Sequence, residues 1–202
     1  MKNYLTFSFI IISGLVFQFC SKSKPSVELT IVSFNPSVEK NLTELKSSLK
    51  EQFHIESIQT IKTELPQETY YEPRNRYRAD KLIRYLRDNY KTEKLIGITD
   101  KDISTTSGQH EDWGIMGLAF RPGKSCVIST FRTFRNAKSE EHKQERLKKV
   151  VFHEFGHTLG LPHCKNSESC LMADANGKVS TVDKVTDFCP KCRTKIRKYL
   201  RN

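Results

Sequence analysis

The sequence predicts one α/β domain that follows a short leader. Runs of β-branched and aromatic residues, typical of strands, alternate with stripes of apolar residues three or four positions apart, typical of one face of a helix. Without the leader about 180 residues remain, which is the usual size of a single domain with a sizeable core. The order strand, helix, strand, helix indicates helices packed on a sheet.

The elements follow one another in this order. Strands are predicted over residues 27–34, 53–61, 95–99, 113–120 and 126–131. Two amphipathic helices are predicted by the apolar stripes Val38, Leu42, Leu45, Leu49 and Ala79, Leu82, Ile83, Leu86, Tyr90. Residues 64–75 form a polar, tyrosine-rich loop between the second strand and the second helix. A third helix begins near Ser139, where Glu140 and Glu141 suit the positive N-terminal end.

The third helix carries the motif that indicates chemistry. From His153 the chain reads H-E-F-G-H-T-L-G-L-P-H. Residues four apart share a helix face, so His153 and His157 can direct imidazole nitrogens at one metal ion. Gly160 can take the left-handed conformation that ends the helix and turns His163 back as a third ligand. Glu154 can deprotonate a water at the remaining position, so the motif predicts a hydrolytic zinc site.

The length of the motif makes chance a poor explanation. By the composition of this chain, H-E-x-x-H alone would arise in roughly one such chain in a hundred, and the extended motif in about two per hundred thousand. The alternative is a structural zinc site or an inactive enzyme. Three histidine ligands leave one coordination position open beside a general base, which favours catalysis.

Cysteines and a methionine after the motif indicate a family. Cys164 follows the third histidine directly, the tripeptide Cys170-Leu171-Met172 comes next, and Cys189-Pro190-Lys191-Cys192 forms a C-x-x-C pair. This arrangement resembles the archaemetzincins, a family of metzincin zinc metallopeptidases. The first of the two connecting loops is one residue longer, and the second one residue shorter, than is usual in that family.

The resemblance covers most of the chain, although the diagnostic motifs lie between His153 and Cys192. It implies His153, His157 and His163 as ligands of a catalytic zinc, with Glu154 as the base that activates the zinc-bound water. It also implies Met172 as the Met-turn beneath that zinc, and a second zinc on Cys164, Cys170, Cys189 and Cys192. The implied metzincin fold has a mixed twisted sheet with helices above the cleft, over about residues 27–160. A small zinc-stabilised lower subdomain follows over about 161–202.

The four cysteines also suit a zinc site on their own chemistry. Four thiolates that include a C-x-x-C pair can form a closed tetrahedral site, whose metal contributes directly to folding. The alternative is two disulfides, Cys164 with Cys170 and Cys189 with Cys192, which an oxidising compartment would favour. The two closely spaced pairs favour zinc.

The N-terminal residues predict export. Residues 1–19 contain Lys2 and then an uncharged apolar stretch that is shorter than the about 20 residues of a membrane span and suits a signal peptide. Cys20 and the polar tether over 20–26 follow, which resembles a bacterial lipoprotein signal with Cys20 as the lipidated first residue. The alternatives are an uncleaved signal anchor and simple secretion. The leading interpretation places the domain outside the cytoplasm, anchored to a membrane.

Substrate binding is predicted from one strand and one replacement. The resemblance to metzincins implies an edge strand above the zinc that pairs with an extended peptide, and Trp113–Phe120 is the candidate. An inner strand with apolar residues in the core is the alternative, because alternation does not separate the two. Asp174 stands two residues after Met172, where some metzincins have a tyrosine ligand, so no tyrosine switch is expected.

Other features have simpler interpretations. His54, His110 and His142 lie outside the motif and are expected on the surface or in loops, while Cys126 is expected to be a buried side chain in a strand. The net charge of +11 suits an anionic partner, so a zinc-stabilised binding protein for nucleic acid or phospholipid is the alternative function.

The enzyme interpretation is preferred over that binding protein. A basic zinc module explains neither Glu154 nor an open three-histidine site. The expected partners are therefore a peptide or protein substrate and, through the lipid anchor, a membrane, but no nucleic acid. The basic residues 193–201 would contact anionic lipid heads only weakly.

Overall fold

The protein, a computed structural model that describes residues 27–200, contains two β-sheets. The larger sheet has the order β2-β1-β5-β9-β8, and these strands span Ile58–Lys62, Leu29–Ser33, Lys94–Thr99, Ser125–Ser129 and Gly117–Ala119. The first four of these strands run parallel, whereas β8 is antiparallel to β9 and forms one edge. The smaller sheet has the order β3-β4-β6-β7, with strands Tyr70–Tyr71, Arg76–Arg78, Ile103–Ser107 and His110–Ile115.

Helices cover both faces of the larger sheet. The α-helices of the described residues are α1 (Leu42–Phe53), α2 (Ala79–Asn89), α3 (Thr130–Thr133), α4 (Glu140–Thr158), α5 (Val179–Lys184) and α6 (Pro190–Tyr199). Short 3₁₀ helices span Pro36–Asn41, Gln67–Thr69 and Glu72–Arg74. Because the parallel strands are covered on both sides, β1, β5 and β9 are buried along their whole length, as is usual for such sheets.

Two apolar clusters hold this arrangement together. On one face of the sheet, α1 packs against α4, and the rings of Phe53 and Phe155 meet edge to face at 4.7 Å between centroids. On the other face, Leu82 and Leu86 of α2 pack against Val127 of β9. The active-site helix α4 is therefore fixed against the sheet near β8 and β9, while α5 and α6 pack against the first cluster from the C-terminal part of the chain.

The mixed α/β fold class is confirmed, but several predicted boundaries are wrong. Phe53 belongs to α1 and not to a strand, because it lies four residues after Leu49 and faces the same core. The predicted strand 113–120 is divided at Met116 between two different sheets. The predicted strand 126–131 ends at Ser129, whose hydroxyl accepts a hydrogen bond from the Phe131 N–H and begins α3.

Several elements were missing from the sequence prediction. Strand β6, which is rich in serine and threonine, lies between the predicted strands. The predicted loop 64–75 contains β3 and two 3₁₀ helices, and most of the basic tail is helix α6.

Within residues 27–200, no helix is long and apolar enough to cross a membrane. The predicted signal over 1–19, Cys20 and the whole of the tether 20–26 lie outside the described residues.

Candidate active site

Helix α4 begins and ends where the sequence predicts. Ser139 caps its first turn by accepting a hydrogen bond from the His142 N–H at 3.2 Å. After the last helical residue, Gly160 has φ of +85°, in the left-handed region that side chains rarely adopt. This turn allows the Leu161 N–H to bond to the Gly156 carbonyl at 3.1 Å, and it directs the chain back toward the third histidine.

Three imidazoles meet at one point of the structure. The Nε2 atoms of His153 and His157 are 3.1 Å apart, and one ring nitrogen each from His153, His157 and His163 lies within 4.8 Å of the other two. Nδ1 of His153 lies 2.7 Å from the Leu171 carbonyl, and Nδ1 of His157 lies 2.7 Å from the Leu161 carbonyl. Carbonyls only accept hydrogen bonds, so both Nδ1 atoms donate and both Nε2 atoms keep a free lone pair.

The electrostatic setting keeps these rings in the form that binds a metal. Burial, helped by the neighbouring imidazole of His157, lowers the pKa of His153 to about 3. Burial likewise lowers the pKa of His157 to about 4. Both rings are therefore neutral at physiological pH, and neutral imidazole is the metal ligand. The number, chemistry and spacing of these nitrogen donors fit a zinc ion.

Glu154 lies directly against the edge strand β8. Its side chain is buried, and a Cβ added to Gly117 would lie 2.6 Å from its Cγ and 2.8 Å from its Oε1. The absence of a side chain at Gly117 is therefore what gives the carboxyl group its place. Burial raises the pKa of Glu154 to about 8, which lets the group hold or release a proton near neutral pH.

The histidines and Glu154 line a cleft of about 680 Å³. Its upper wall includes Gly117 and Ala119 of β8, and its lower wall includes residues that follow Leu171. β8 pairs with β9 on one side only and is an edge strand, as is β7 in the smaller sheet. Of the two interpretations of the segment Trp113–Phe120, the edge strand is therefore confirmed, although as two short strands.

The tripeptide Cys170-Leu171-Met172 supports the cluster from below. Met172 is fully buried, and its sulfur packs against Gly156 on the underside of α4. The Leu171 carbonyl faces His153, as described above, and the Met172 carbonyl accepts a hydrogen bond from the Cys164 N–H at 2.7 Å. One short segment thus holds both the first histidine and the residue that follows the third.

The four cysteines form a second cluster. Their Sγ atoms all lie within 4.8 Å of one another, and all four are free thiols, so neither disulfide of the alternative interpretation is present. The Sγ atoms of Cys164 and Cys189 are 3.7 Å apart. Backbone N–H groups of Met172 and Cys189 donate to the Cys170 sulfur at 3.4 and 3.3 Å. Four sulfurs at this spacing could hold a metal in a closed tetrahedral site.

At the second cluster, burial raises the pKa of the Cys170 and Cys192 thiols, whereas the pKa of Cys164 is lowered. Burial raises the pKa of the Cys164 thiol, but hydrogen bonds from the Asn166 N–H and from Cys189 outweigh this and bring the pKa to about 7. Thiolate is the form of cysteine that binds metals. The residues present at the second cluster therefore also fit zinc.

The remaining histidines and Cys126 lie apart from both clusters. His54 and His110 are exposed, and Cys126 is fully buried in β9, as expected. His142, which was expected on the surface or in a loop, is half-buried on α4, and its Nε2 lies 2.8 Å from Asp183 Oδ1. Arg146 donates two hydrogen bonds to the same carboxylate at 2.7 and 2.8 Å, which ties α4 to α5.

Sequence reasoning missed several residues that support the site. Asp183, Arg146 and Gly117 act through partners that are distant along the chain, so no local spacing marks them. A glycine inside a predicted strand was the one available signal for Gly117, because it often marks the close approach of another group.

Comparison with known proteins identifies the family. Residues 25–198 match the family described as Peptidase family M54. The archaemetzincin of Natronomonas pharaonis is 33% identical over 178 residues, which cover 84% of this chain and 98% of that protein. The archaemetzincin of Halobacterium salinarum is 32% identical over 158 residues, which cover 74% of this chain and 88% of that protein.

Solved structures agree in fold. The crystal structure of archaemetzincin from Methanopyrus kandleri matches with a TM-score of 0.76 and 25% identity, over 88% of this chain and 97% of that one. The archaemetzincin from Archaeoglobus fulgidus, complexed with malonate, matches with a TM-score of 0.72 and 27% identity, over 84% of this chain and 99% of that one. The expected fold is thereby confirmed. This chain belongs to peptidase family M54, the archaemetzincins, and is a zinc metallopeptidase.

Proposed function

We propose that the protein hydrolyses peptide bonds with a water molecule that Glu154 activates at a zinc ion held by His153, His157 and His163. The observation that carries this proposal is the convergence of the three ring nitrogens within 4.8 Å, with Glu154 lining the same cleft. Three protein ligands leave a coordination position for a reactant, which is typical of catalytic and not of structural zinc.

The residues of the chain divide the work of the reaction. Zinc, when bound, supplies a Lewis acid that polarises a carbonyl and lowers the pKa of a water. Glu154 accepts the proton of the attacking water and then returns a proton to the leaving amine. Its burial suits both steps, because a base works best when its pKa lies near the operating pH, and that of Glu154 is raised to about 8.

Substrate is proposed to bind along β8. Gly117–Ala119 pairs with β9 on one side, so the backbone groups of the other side are available to an extended peptide. A peptide held there would place its scissile bond beside Glu154, which packs on Gly117. Asp174 replaces the tyrosine of some metzincins, so no tyrosine from this loop competes with the substrate for the open position.

A second, structural zinc is proposed on Cys164, Cys170, Cys189 and Cys192. The free thiols, the spacing of the four sulfurs and the N–H donors to Cys170 support it. This zinc would stabilise a small lower subdomain over about 161–202, which follows an upper subdomain over about 27–160. It would also restrain the loop that carries His163.

Export and membrane anchoring are proposed for the N-terminal residues. The uncharged stretch within residues 1–19 and the cysteine that follows it support a lipoprotein signal with Cys20 as the lipidated residue and 20–26 as a tether. Radiolabelled palmitate should enter the parent protein and not Cys20→Ala, and the variant should leave the membrane fraction. Equal labelling of both proteins would show that Cys20 is not the anchor.

Cleavage of a diverse peptide mixture, read by mass spectrometry, tests the enzymatic proposal. The full-length parent is compared with Glu154→Gln and with the control Glu145→Gln, which removes an exposed carboxylate from the same helix. Loss of the base should lower turnover by about 100-fold or more while zinc stays bound, whereas the control should cleave like the parent.

The opposite results are equally informative. Full cleavage by Glu154→Gln would contradict the assigned mechanism. No cleavage by zinc-loaded parent protein would instead favour the zinc-stabilised protein that binds anionic partners.

A further inference from the structure

We infer that Asp174 is a positioning residue that orients His163 for metal binding, an inference that rests on the proposed function. Asp174 Oδ2 lies 3.3 Å from Nδ1 of His163. The other carboxylate oxygen, Oδ1, accepts a hydrogen bond from the Asn176 N–H at 2.8 Å. A tight turn thus fixes the carboxylate through one oxygen and presents the other to the imidazole.

His163 needs such a partner more than the other two histidines do. His153 and His157 project from a helix, and main-chain carbonyls hold both Nδ1 atoms at 2.7 Å. His163 lies in the loop after α4, and its side chain is 44% exposed. The carboxylate of Asp174 lies beside Nδ1 of His163.

The contact has a direct consequence for metal binding. A carboxylate that accepts from Nδ1–H fixes the tautomer in which Nε2 is the ligand, and it increases the basicity of the ring. The centroid of the His163 ring lies 4.9 Å from that of His157 and 5.3 Å from that of His153, and one of its nitrogens lies within 4.8 Å of a nitrogen on each of them. With Nδ1 facing Asp174, Nε2 is the nitrogen that remains for the metal. All three rings would then have an oxygen acceptor at Nδ1, but only His163 would have a charged one.

Zinc affinity tests this role without any measurement of activity. Zn²⁺ binding to the full-length chain is measured by competition with a chelator, and His153→Ala identifies the part of the binding that belongs to the histidine cluster. Asp174→Ala should lower the affinity of that cluster by about 10- to 100-fold, as losses of such partners usually do. Asp174→Asn should lose less, because its amide oxygen can still accept from Nδ1–H.

A further variant separates the imidazole contact from the turn. The hydroxyl of Asp174→Ser can still accept from the Asn176 N–H within the turn, but it lies one bond closer to the backbone than the carboxylate oxygens and does not reach the imidazole, whereas the longer side chain of Asn does. Asp174→Ser should therefore bind zinc as weakly as Asp174→Ala. The circular dichroism of each variant at saturating zinc should match that of the zinc-loaded parent, which excludes a general loss of structure.

Two results would overturn the inference while leaving the proposed function in place, and a third would overturn both. Parent-like zinc affinity in Asp174→Ala would show that the contact does not matter. Equal losses in Asp174→Asn and Asp174→Ala would show that the negative charge, and not the hydrogen bond, is used. If His153→Ala itself left zinc binding unchanged, the histidine cluster would not be the zinc site, and the proposed function would fail together with this inference.

Discussion

The sulfur of Met172 occupies the space that a side chain on Gly156 would need, because a Cβ at Gly156 would lie 2.6 Å from Met172 Sδ. Gly156 lies inside the zinc motif, directly before His157. Met172 follows Leu171, whose carbonyl faces His153. The contact between Gly156 and Met172 therefore joins the active-site helix to the segment that orients one of its histidines.

Gly156→Ala should destabilise the protein even though alanine is the better helix former. The gain in helix propensity of about 1 kcal/mol is opposed by overpacking against Met172, which usually costs about 1–3 kcal/mol. The free energy of unfolding, measured with denaturant, checks the net sign. Because Met172→Ala removes the obstacle, the double variant should be less destabilised than the sum of the two single variants. A more stable Gly156→Ala would show that the sulfur moves aside freely.

Gly117→Ala should impair catalysis more than stability. The new methyl group would displace the carboxyl group of Glu154, and a shift of about 1 Å can cost about 100-fold in rate. The variant should keep its zinc, because the new methyl group would meet Glu154 and not the three histidine ligands. Gly97→Ala is the control, since the same substitution in β5 of the same sheet would meet Leu86 and Phe34, which do not line the cleft. Unchanged kcat in Gly117→Ala would mean that Glu154 has room to adjust.

The catalytic motif was predictable because its geometry is local. Spacing of four on a helix puts His153 and His157 side by side, and Gly160 supplies the positive φ that the turn requires. The same holds for α2, whose apolar residues Leu82 and Leu86 recur at the helical period and are fully buried. At these two helices, neighbours along the chain decide the structure, and the sequence prediction agrees with it.

Long-range packing explains what the sequence did not reveal. Met116 lies between β7 of the smaller sheet and β8 of the larger sheet. Alternation along the chain cannot indicate this change of sheet, because both strands have the same period. Strand β6 was not predicted, because its polar residues lie in a small, half-exposed sheet. Arg146 was hidden for a different reason: a charged residue inside a charged helix gives no sign of burial until Asp183, 37 residues later, is placed beside it.

Cys189→Ser should remove one zinc per chain and lower the melting temperature, because the loop that carries His163 loses a restraint. Serine is a poor ligand for zinc in a thiolate site, and a structural zinc contributes directly to folding. Metal content by atomic emission and the melting temperature are the measurements. Cys126→Ala is the matched control, because Cys126 is a buried cysteine outside the cluster, so this variant should keep the full zinc content of the parent. Equal zinc content in Cys189→Ser and the parent would contradict a four-cysteine site.

Asp183→Asn should destabilise the protein at neutral pH. The guanidinium of Arg146 is buried and donates two hydrogen bonds to Asp183, and such bonds to charged groups contribute about 1.5–3 kcal/mol each in buried settings. The Asp183 side chain is 36% exposed, so solvent screening places the expected loss at about 1–2 kcal/mol in total. Asp88→Asn, which alters a fully exposed pair with Arg87, should leave the free energy of unfolding unchanged.

The same variant predicts a pH dependence. The hydrogen bonds from Arg146, with a further contribution from His142, hold the pKa of Asp183 well below its usual range. A carboxyl group whose pKa is lowered by folding contributes stability that is fully present above its unfolded pKa of about 3.9 and is lost as the pH falls below it. The difference in unfolding free energy between the parent and Asp183→Asn should therefore be constant from neutral pH down to about pH 5 and shrink in more acidic solution. A difference that did not shrink below about pH 4 would show that Asp183 does not stabilise the fold as a carboxylate.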